Sequence, residues 1–491
     1  MKDTIRYNDA TYYGDVYNGK EHGYGRTVFE DGSVHEGFYN NGRFHGKGKY
    51  MWPDGDVYEG DYVNGRRTGK GKFRFSNGNV YEGDFLCGAN HGKGVFRWAD
   101  GGYYKGEFAK DRFSGRGYVE WAKNDTYEGD FLDCQPNGRG VRHYPDGSVY
   151  EGDMLLGVRH GIGRFQQSDG KVENGLFLFG AFCPDASYNQ TVSYTNGTKY
   201  KGNLIDGKLM GIGDYYNAGG KRIYSGSFVG GNYCGIGHYS GDNGYSYLGM
   251  YFNSQRHGYG IERFGNGEQY YGYFIDGKKH GRGMSVFPSG DVYIGSFKNG
   301  KRDGYGSYYY HSGNTDRGMW RDDSFLGKPE KKTVTYNDGT RYVGGYLNNK
   351  CNGQGECWYS GGNRYDGEFN DHNPEGFGTF YYSSGHNCEG CFEKAKRHGY
   401  GYYTVSENVF YDGFWRMNNK EGIGYYCYSD GSSYCGQWQN NERHGYGTYK
   451  YANGDVYFGE WLDGNRTGMG TYIYANGKVQ KGRFENSKFI G

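Results

Sequence analysis

Four residue patterns in this 491-residue chain are of a kind that can do chemistry. Gly-x-Gly recurs 18 times in one repeating register, as at Gly69–Gly71 and Gly92–Gly94; such pairs cradle phosphate when they sit in a loop that opens a helix. Histidine recurs at one fixed offset, at His22, His45, His91, His160, His257, His280, His398 and His444, and a ladder of imidazoles can bind metal or sense pH. Cys388 and Cys391 form a Cys-x-x-Cys, a spacing used for zinc and for redox chemistry. Cations cluster at Arg66–Arg67, Lys278–Lys279, Lys301–Arg302, Lys396–Arg397 and Arg443, where they can hold anionic ligands.

Most of these readings give way to structural ones. No Gly-Lys-Ser or Gly-Lys-Thr occurs, and each Gly-x-Gly lies in a strand-like stretch, so the glycines shape backbone. The histidines have no recurrent acid or nucleophile beside them and read as loop-to-strand residues, with a metal or pH ladder as the alternative. On a strand, residues three apart face opposite sides, and no second cysteine pair follows at zinc spacing, so Cys388 and Cys391 read as plain thiols. No nucleophile, base and orienting acid stand out from the background. The expectation is no enzyme, no catalytic residue, no cofactor and no metal.

What must position these residues is a repeat. With the glycine of Tyr-x-Gly as position zero, it falls every 23 residues from Gly14 to Gly175. It resumes at Gly202 and runs to Gly318, then again from Gly344 to Gly482, giving 21 units. The expected organisation is a first array over 1–174, an irregular segment at 175–201, a second array over 202–317, an irregular segment at 318–343, and a third array over 344–491. Each irregular segment lacks Gly-x-Gly and is either a tolerated loop insertion or a bend or docking site.

Within a unit the period is two. Tyr stands at −2 and an aromatic at +2, as in Tyr58, Gly60, Tyr62 and Tyr81, Gly83, Phe85; glycines at +9 and +11, such as Gly69, Gly71, Gly92 and Gly94, precede more aromatics. Alternation of this kind makes strands, not helices. A six-residue loop from +3 to +8 would set +2 opposite +9, zero opposite +11 and −2 opposite +13, with Asp61 facing Lys70, Glu59 facing Lys72, Asp84 facing Lys93 and Glu107 facing Arg116. For the second turn, Pro53, Pro145 and Pro288 at +16 and glycine at +18 predict a type I turn with a G1 bulge. The fold class is therefore all-β: an elongated single-layer antiparallel meander of about 21 two-stranded repeats, curled around an aromatic core.

Stretches such as YEGDYVNGRRTGKGKFRFSNGNV (58–80) and YEGDFLCGANHGKGVFRWADGGY (81–103) closely resemble the MORN repeat, the membrane occupation and recognition nexus, and the resemblance runs from about residue 12 to 484. It implies an elongated β-meander and a scaffold role in the cortical cytoskeleton, basal bodies or flagellar axonemes, including radial-spoke heads. It also implies that some such chains dimerise through their ends; here that would involve Trp461, Phe484 and Phe489, with the terminal strands near Tyr12 and Phe484 either having unpaired edges or needing caps.

The bulk properties fit that reading. A formal charge of +1 offers no field for nucleic acid, although the middle segment is mildly basic. The N-terminus carries no apolar run, and ten cysteines without a framework suit a reducing compartment. The expected role is a non-enzymatic scaffold binding other proteins, cytoplasmic and associated with the cytoskeleton of a cilium, flagellum or cell cortex. The alternative is a peripheral module binding phosphoinositides or other acidic phospholipids through Arg66, Arg67, Lys278, Lys279, Lys301, Arg302, Lys396, Arg397 and Arg443. An extracellular carbohydrate-binding repeat would use the same aromatic residues, but nothing in the N-terminus directs export.

Overall fold

The computed structural model describes residues 2–183 and 187–491; among these, all regular structure is antiparallel strand. One hairpin shows how the repeat is built. Strand Val57–Val63 pairs with Arg66–Arg74 across Asn64 and Gly65, whose φ values of 51° and 82° are those of a two-residue type I′ turn. Val63 faces Arg66 and Tyr62 faces Arg67, whereas Gly60 faces Gly71 and Tyr58 faces Phe73. Between these two blocks one residue, Asp61, spans three on the other strand, so the ladder carries a bulge with two extra residues.

This corrects the expected first turn. The ring at +2 does not face the glycine at +9 of its own unit; it faces the one in the unit before, as Phe85 faces Gly69. Gly69 has φ 107° and supplies the left-handed residue of the bulge. The ionic ladder shifts with it. Lys70 pairs with Asp84 of the next unit at 2.6 Å, and Lys47 with Asp61 at 2.7 Å, while Asp61 instead accepts the Lys70 backbone N–H at 2.9 Å. Likewise Glu107 stands opposite Lys93 rather than Arg116, and Asp84 accepts the Lys93 backbone N–H. Glu59 does face Lys72, as expected. The Asn-Gly pairs at +4 and +5 were a type I′ signature in plain sight.

The second turn matches its expectation. In Trp52–Asp56 the N–H of Gly55 bonds to the Trp52 carbonyl at 3.1 Å, the N–H of Trp52 bonds to Asp56, and Gly55 has φ 96°. Pro53 occupies the first central position of a type I turn, followed by the G1 bulge.

The aromatic core follows from the glycines. Tyr58 is fully buried, and a Cβ on Gly71 would lie 2.5 Å from its ring, so only glycine lets the ring cross the hairpin there. Tyr58 meets Tyr62 edge-on at 5.2 Å and Phe85 of the next unit at 5.0 Å. Edge-to-face contacts of this kind add roughly 0.5–1.5 kcal/mol each beyond area burial. Neighbouring units are also hooked at their turns, since the Gly88 N–H bonds to the Arg67 carbonyl at 2.8 Å.

The chain divides into two compact units, residues 1–151 with 165–172, and residues 152–164 with 173–491. The first is an open meander whose second face carries charges. The second contains a 13-stranded sheet from Ser187 to Gly327 and a 15-stranded sheet from Glu330 to Phe489. These two sheets stack on the face opposite their aromatic rings. Phe414 packs on His257 at 4.6 Å, Tyr400 stacks near Tyr273 at 6.1 Å, and Arg282 pairs with Glu368 at 3.1 Å. Arg416 joins Asp276 at 2.9 Å, and Lys208 joins Glu460 at 3.1 Å. Leu155, Leu176, Met210, Val229, Ile423 and Phe458 form a mostly aliphatic core in this second layer of packing.

Candidate functional site

The residues that build the site occupy positions +1 and +10, on the face away from the aromatic rings. In the second unit this face is filled by Met250, Tyr259, Tyr273, Phe414 and Ile423, all at most 7% exposed. In the first unit the same positions hold Asp61, Asp84 and Asp130 against Lys47, Lys70, Lys93, Arg116 and Arg139. Burying such pairs against another sheet would cost their hydration. They stay in water, and the five cations, with Glu107 at +1, line a trough of about 2010 Å³.

The trough floor is backbone, formed by facing glycine pairs such as Gly37–Gly48, Gly60–Gly71 and Gly83–Gly94. Glu36, Glu59, Glu82, Glu128 and Glu151 supply an acidic row at −1. Lys49 and Lys72 extend the basic row at +12, and Lys72 reaches Glu82 at 3.1 Å. Each repeat advances by two strands, so like charges recur roughly every 10 Å. The cations remain available although paired: the side chains of Lys47, Lys70 and Arg116 are 69%, 68% and 78% exposed. At one end Tyr24 and Phe38 meet edge-on at 5.5 Å, and both are 49% exposed; the Tyr24 hydroxyl donates to Glu36 at 2.9 Å.

Electrostatics in the trough is local. Burial pushes the Asp84 carboxyl up, but the Lys70 ammonium and the Lys93 N–H outweigh it and hold Asp84 below the usual carboxylate range. The hydrogen bond to Glu36 raises the Tyr24 hydroxyl. Mutually compensated acids and bases make a surface that can exchange ion pairs with an extended partner carrying both signs.

The other residues singled out in the sequence go elsewhere. Tyr58, Tyr62, Tyr81 and Phe85 are core, at most 4% exposed, and Gly60, Gly83 and Gly94 lie against Tyr58 or Tyr81 as Gly71 does. Gly92, like Gly69, sits in the bulge, with φ 67°. The cationic pairs split. The second member of each turns onto the aromatic rings: Arg67 lies 5.5 Å over Tyr58, Lys279 4.8 Å over Tyr270, Arg302 4.6 Å over Trp320, Arg397 4.0 Å over Trp415, and Arg443 4.5 Å over Trp461. The first members, Arg66, Lys278, Lys301 and Lys396, stay at the turns; Lys301 pairs with Asp322 at 3.1 Å. Trp461 and Phe484 are buried, and Phe489 is 38% exposed.

Of the two alternatives for the strands near Tyr12 and Phe484, capping is the one found. Lys2–Arg6 pairs with the strand of Tyr12, and Lys488–Phe489 pairs with that of Phe484. The C-terminal segment also bonds to Arg483 through Ile490 at 2.8 Å. Both short strands give partners to ladder groups that an outer strand would otherwise expose.

A family model for the MORN repeat matches seventeen repeats, over residues 12–172, 224–244, 247–315, 342–404 and 411–479. No curated protein matches significantly. Among solved structures, the chain is similar at 16% identity to the TCP domain of SAS-4 of Drosophila melanogaster, in complex with a proline-rich motif of Ana2, covering 34% of this chain and 84% of that one with a TM-score of 0.18. It is similar at 12% identity to a streptogramin B lyase, covering 68% and 94% with a TM-score of 0.12. A third likeness, at 9% identity, is to virginiamycin B lyase of Staphylococcus aureus, covering 71% and 85% with a TM-score of 0.11. At these TM-scores the three structures carry no argument about function.

Proposed function

This chain belongs to the MORN-repeat family, and from that premise we propose that it is a non-enzymatic scaffold whose first array docks a partner protein in the charged trough. One observation carries the proposal. Five successive repeats present a base at +10 to solvent, from Lys47 to Arg139, beside a row at −1 that is glutamate in every one of them but that of Lys105, whereas the corresponding faces of the second unit are spent on packing. A scaffold needs an open periodic surface beside a part that is stably folded without a partner. The partner is an extended, mixed-charge segment of a cytoskeletal or ciliary assembly, such as an axoneme, a radial spoke or the cell cortex.

The test is the localisation of a tagged chain before and after detergent extraction. The wild type should stay with the insoluble cytoskeleton, and Lys47→Glu, Lys70→Glu and Lys93→Glu together should release it. Retention of that triple variant would overturn the trough as the docking surface.

A second reading, binding of phosphoinositides or other acidic phospholipids, is favoured by the exposed Lys278 and Lys396 at the turns. It predicts binding to phosphoinositide vesicles at low salt that fades as salt screens the lysines. Charge reversal at those two positions should abolish it, and its persistence would count against this reading.

A further inference from the structure

The second unit brings together three metal-ligating side chains that no repeat holds by itself. His280 stands in strand Lys278–Val286 of the 13-stranded sheet. Glu393 and His398 stand in the 15-stranded sheet, in strands Asn387–Glu393 and Lys396–Ser406, on either side of the two-residue turn Lys394–Ala395. One nitrogen from each imidazole and one carboxylate oxygen all lie within 4.8 Å of one another. We infer that His280, His398 and Glu393 form a site for one divalent transition-metal ion of the zinc class, pinning one sheet to the other.

One of the three ligand pairs already has the spacing of four-coordinate zinc. His398 Nε2 lies 3.4 Å from Glu393 Oε2, matching the separation of about 3.4 Å between two corners of a tetrahedron whose centre is about 2.1 Å from each. Two imidazoles and one carboxylate select zinc, cobalt, nickel or copper over magnesium and calcium, which prefer oxygen throughout. A cavity of about 20 Å³ adjoins His280 and is lined by Asp303 and Glu375, which is space for one water with polar partners.

The surroundings point the same way. The side chains of His398 and Glu393 are only 12% and 18% exposed. Lys298 donates to the other oxygen of Glu393 at 3.0 Å and to Glu375 at 2.7 Å. It thus orients the carboxylate and leaves Oε2 to the ion, as outer partners of metal ligands do. His257, at the same position in its own repeat, faces Asp276 and Phe414 instead.

The inference is independent of the trough and is tested on the full chain after EDTA treatment. Zn²⁺ alone is titrated by calorimetry, and Co²⁺ is titrated while the visible bands of four-coordinate cobalt are followed. The expected result is one ion per chain, with affinity reduced at least about tenfold in both His280→Ala and Glu393→Gln. Zn²⁺ should raise the melting temperature of the wild type and of neither variant, while His444→Ala should bind as the wild type does. Melting in the absence of metal shows which variants are folded, and either folded variant suffices to decide. Absence of binding, or one-per-chain binding that survives in a folded His280→Ala or Glu393→Gln chain, would overturn the site.

Discussion

The hydroxyl of Tyr58 donates to the backbone carbonyl of Asp61 at 2.9 Å, three residues along the same strand. That carbonyl sits in the bulge, where the strand ladder provides no partner, and the ring reaches it by crossing the Gly60–Gly71 pair. The bond recurs at Tyr81 and Asp84, Tyr104 and Glu107, and Tyr127 and Asp130, at 2.8, 2.9 and 3.1 Å. Tyrosine at −2 is therefore specified by its hydroxyl as much as by its ring.

Tyr58→Phe keeps the ring and removes the donor. Stability should fall by about 1 kcal/mol or somewhat more, the cost of an unsatisfied, largely buried carbonyl. Urea denaturation of the full chain measures it, with Tyr13→Phe, whose ring is 50% exposed, as the neutral control. Equal stability of the two variants would contradict this role for the hydroxyl.

His35 replaces that tyrosine in its repeat and gives the first unit a pH dependence. It is fully buried, it contacts the Tyr39 hydroxyl at 2.8 Å, and burial pushes it down to about 3 from 6.5. The unfolded chain takes up this proton first as pH falls. The stability is therefore whole above about pH 6.5 and is lost between 6.5 and 3, at about 1.4 kcal/mol per pH unit for one proton. His35→Tyr should flatten that limb, and Tyr104 beside Phe113 shows that a tyrosine fits next to an aromatic at +7, as Phe44 is here. Denaturation midpoints at pH 7, 5.5 and 4 would disagree if the substitution left the slope unchanged.

Phe414 ties the two sheets of the second unit. It is 2% exposed, and a Cβ on Gly258 of the other sheet would fall 2.5 Å from its ring. Phe414→Ala should cost about 3–5 kcal/mol. Hydrogen exchange should show lost protection in strand Gln255–Arg263, which is more than 150 residues away in sequence. Loss confined to the strands next to residue 414 would mean that the sheets do not stabilise each other.

The self-association proposed for the C-terminal end would rest on its exposed apolar residues. Phe489 and Ile490 are 38% and 53% exposed, while Trp461 and Phe484 belong to the core. Phe489→Lys with Ile490→Lys should convert any dimer to monomer without lowering the melting temperature much. A mass by light scattering that stays dimeric would rule this end out.

The repeat, the strand period, the type I turn with its G1 bulge and the aromatic core were legible in the sequence, because each rests on local backbone preference or on alternation within one hairpin. The type I′ turn was legible too, in Asn64-Gly65, but the loop length hid it. Once that turn is placed, the two extra residues at Gly69 and the one-unit offset of Lys70 onto Asp84 follow. The trough could have been read from one contrast: positions +1 and +10 are charged in the first array and apolar at Met250, Tyr273, Phe414 and Ile423.

Sequence alone thus determined what each strand pairs with, since the partner of every strand is its neighbour and the turn between them dictates the register. Only the tertiary structure decided what the second face of the meander touches. That face meets residues a hundred or more positions away, and which of them it meets depends on how two curled sheets fit rather than on any local dihedral preference. The meeting of His280 with His398 and Glu393 is of this kind: their shared period places histidines in many repeats, but stacking of the sheets brings two of them to one carboxylate.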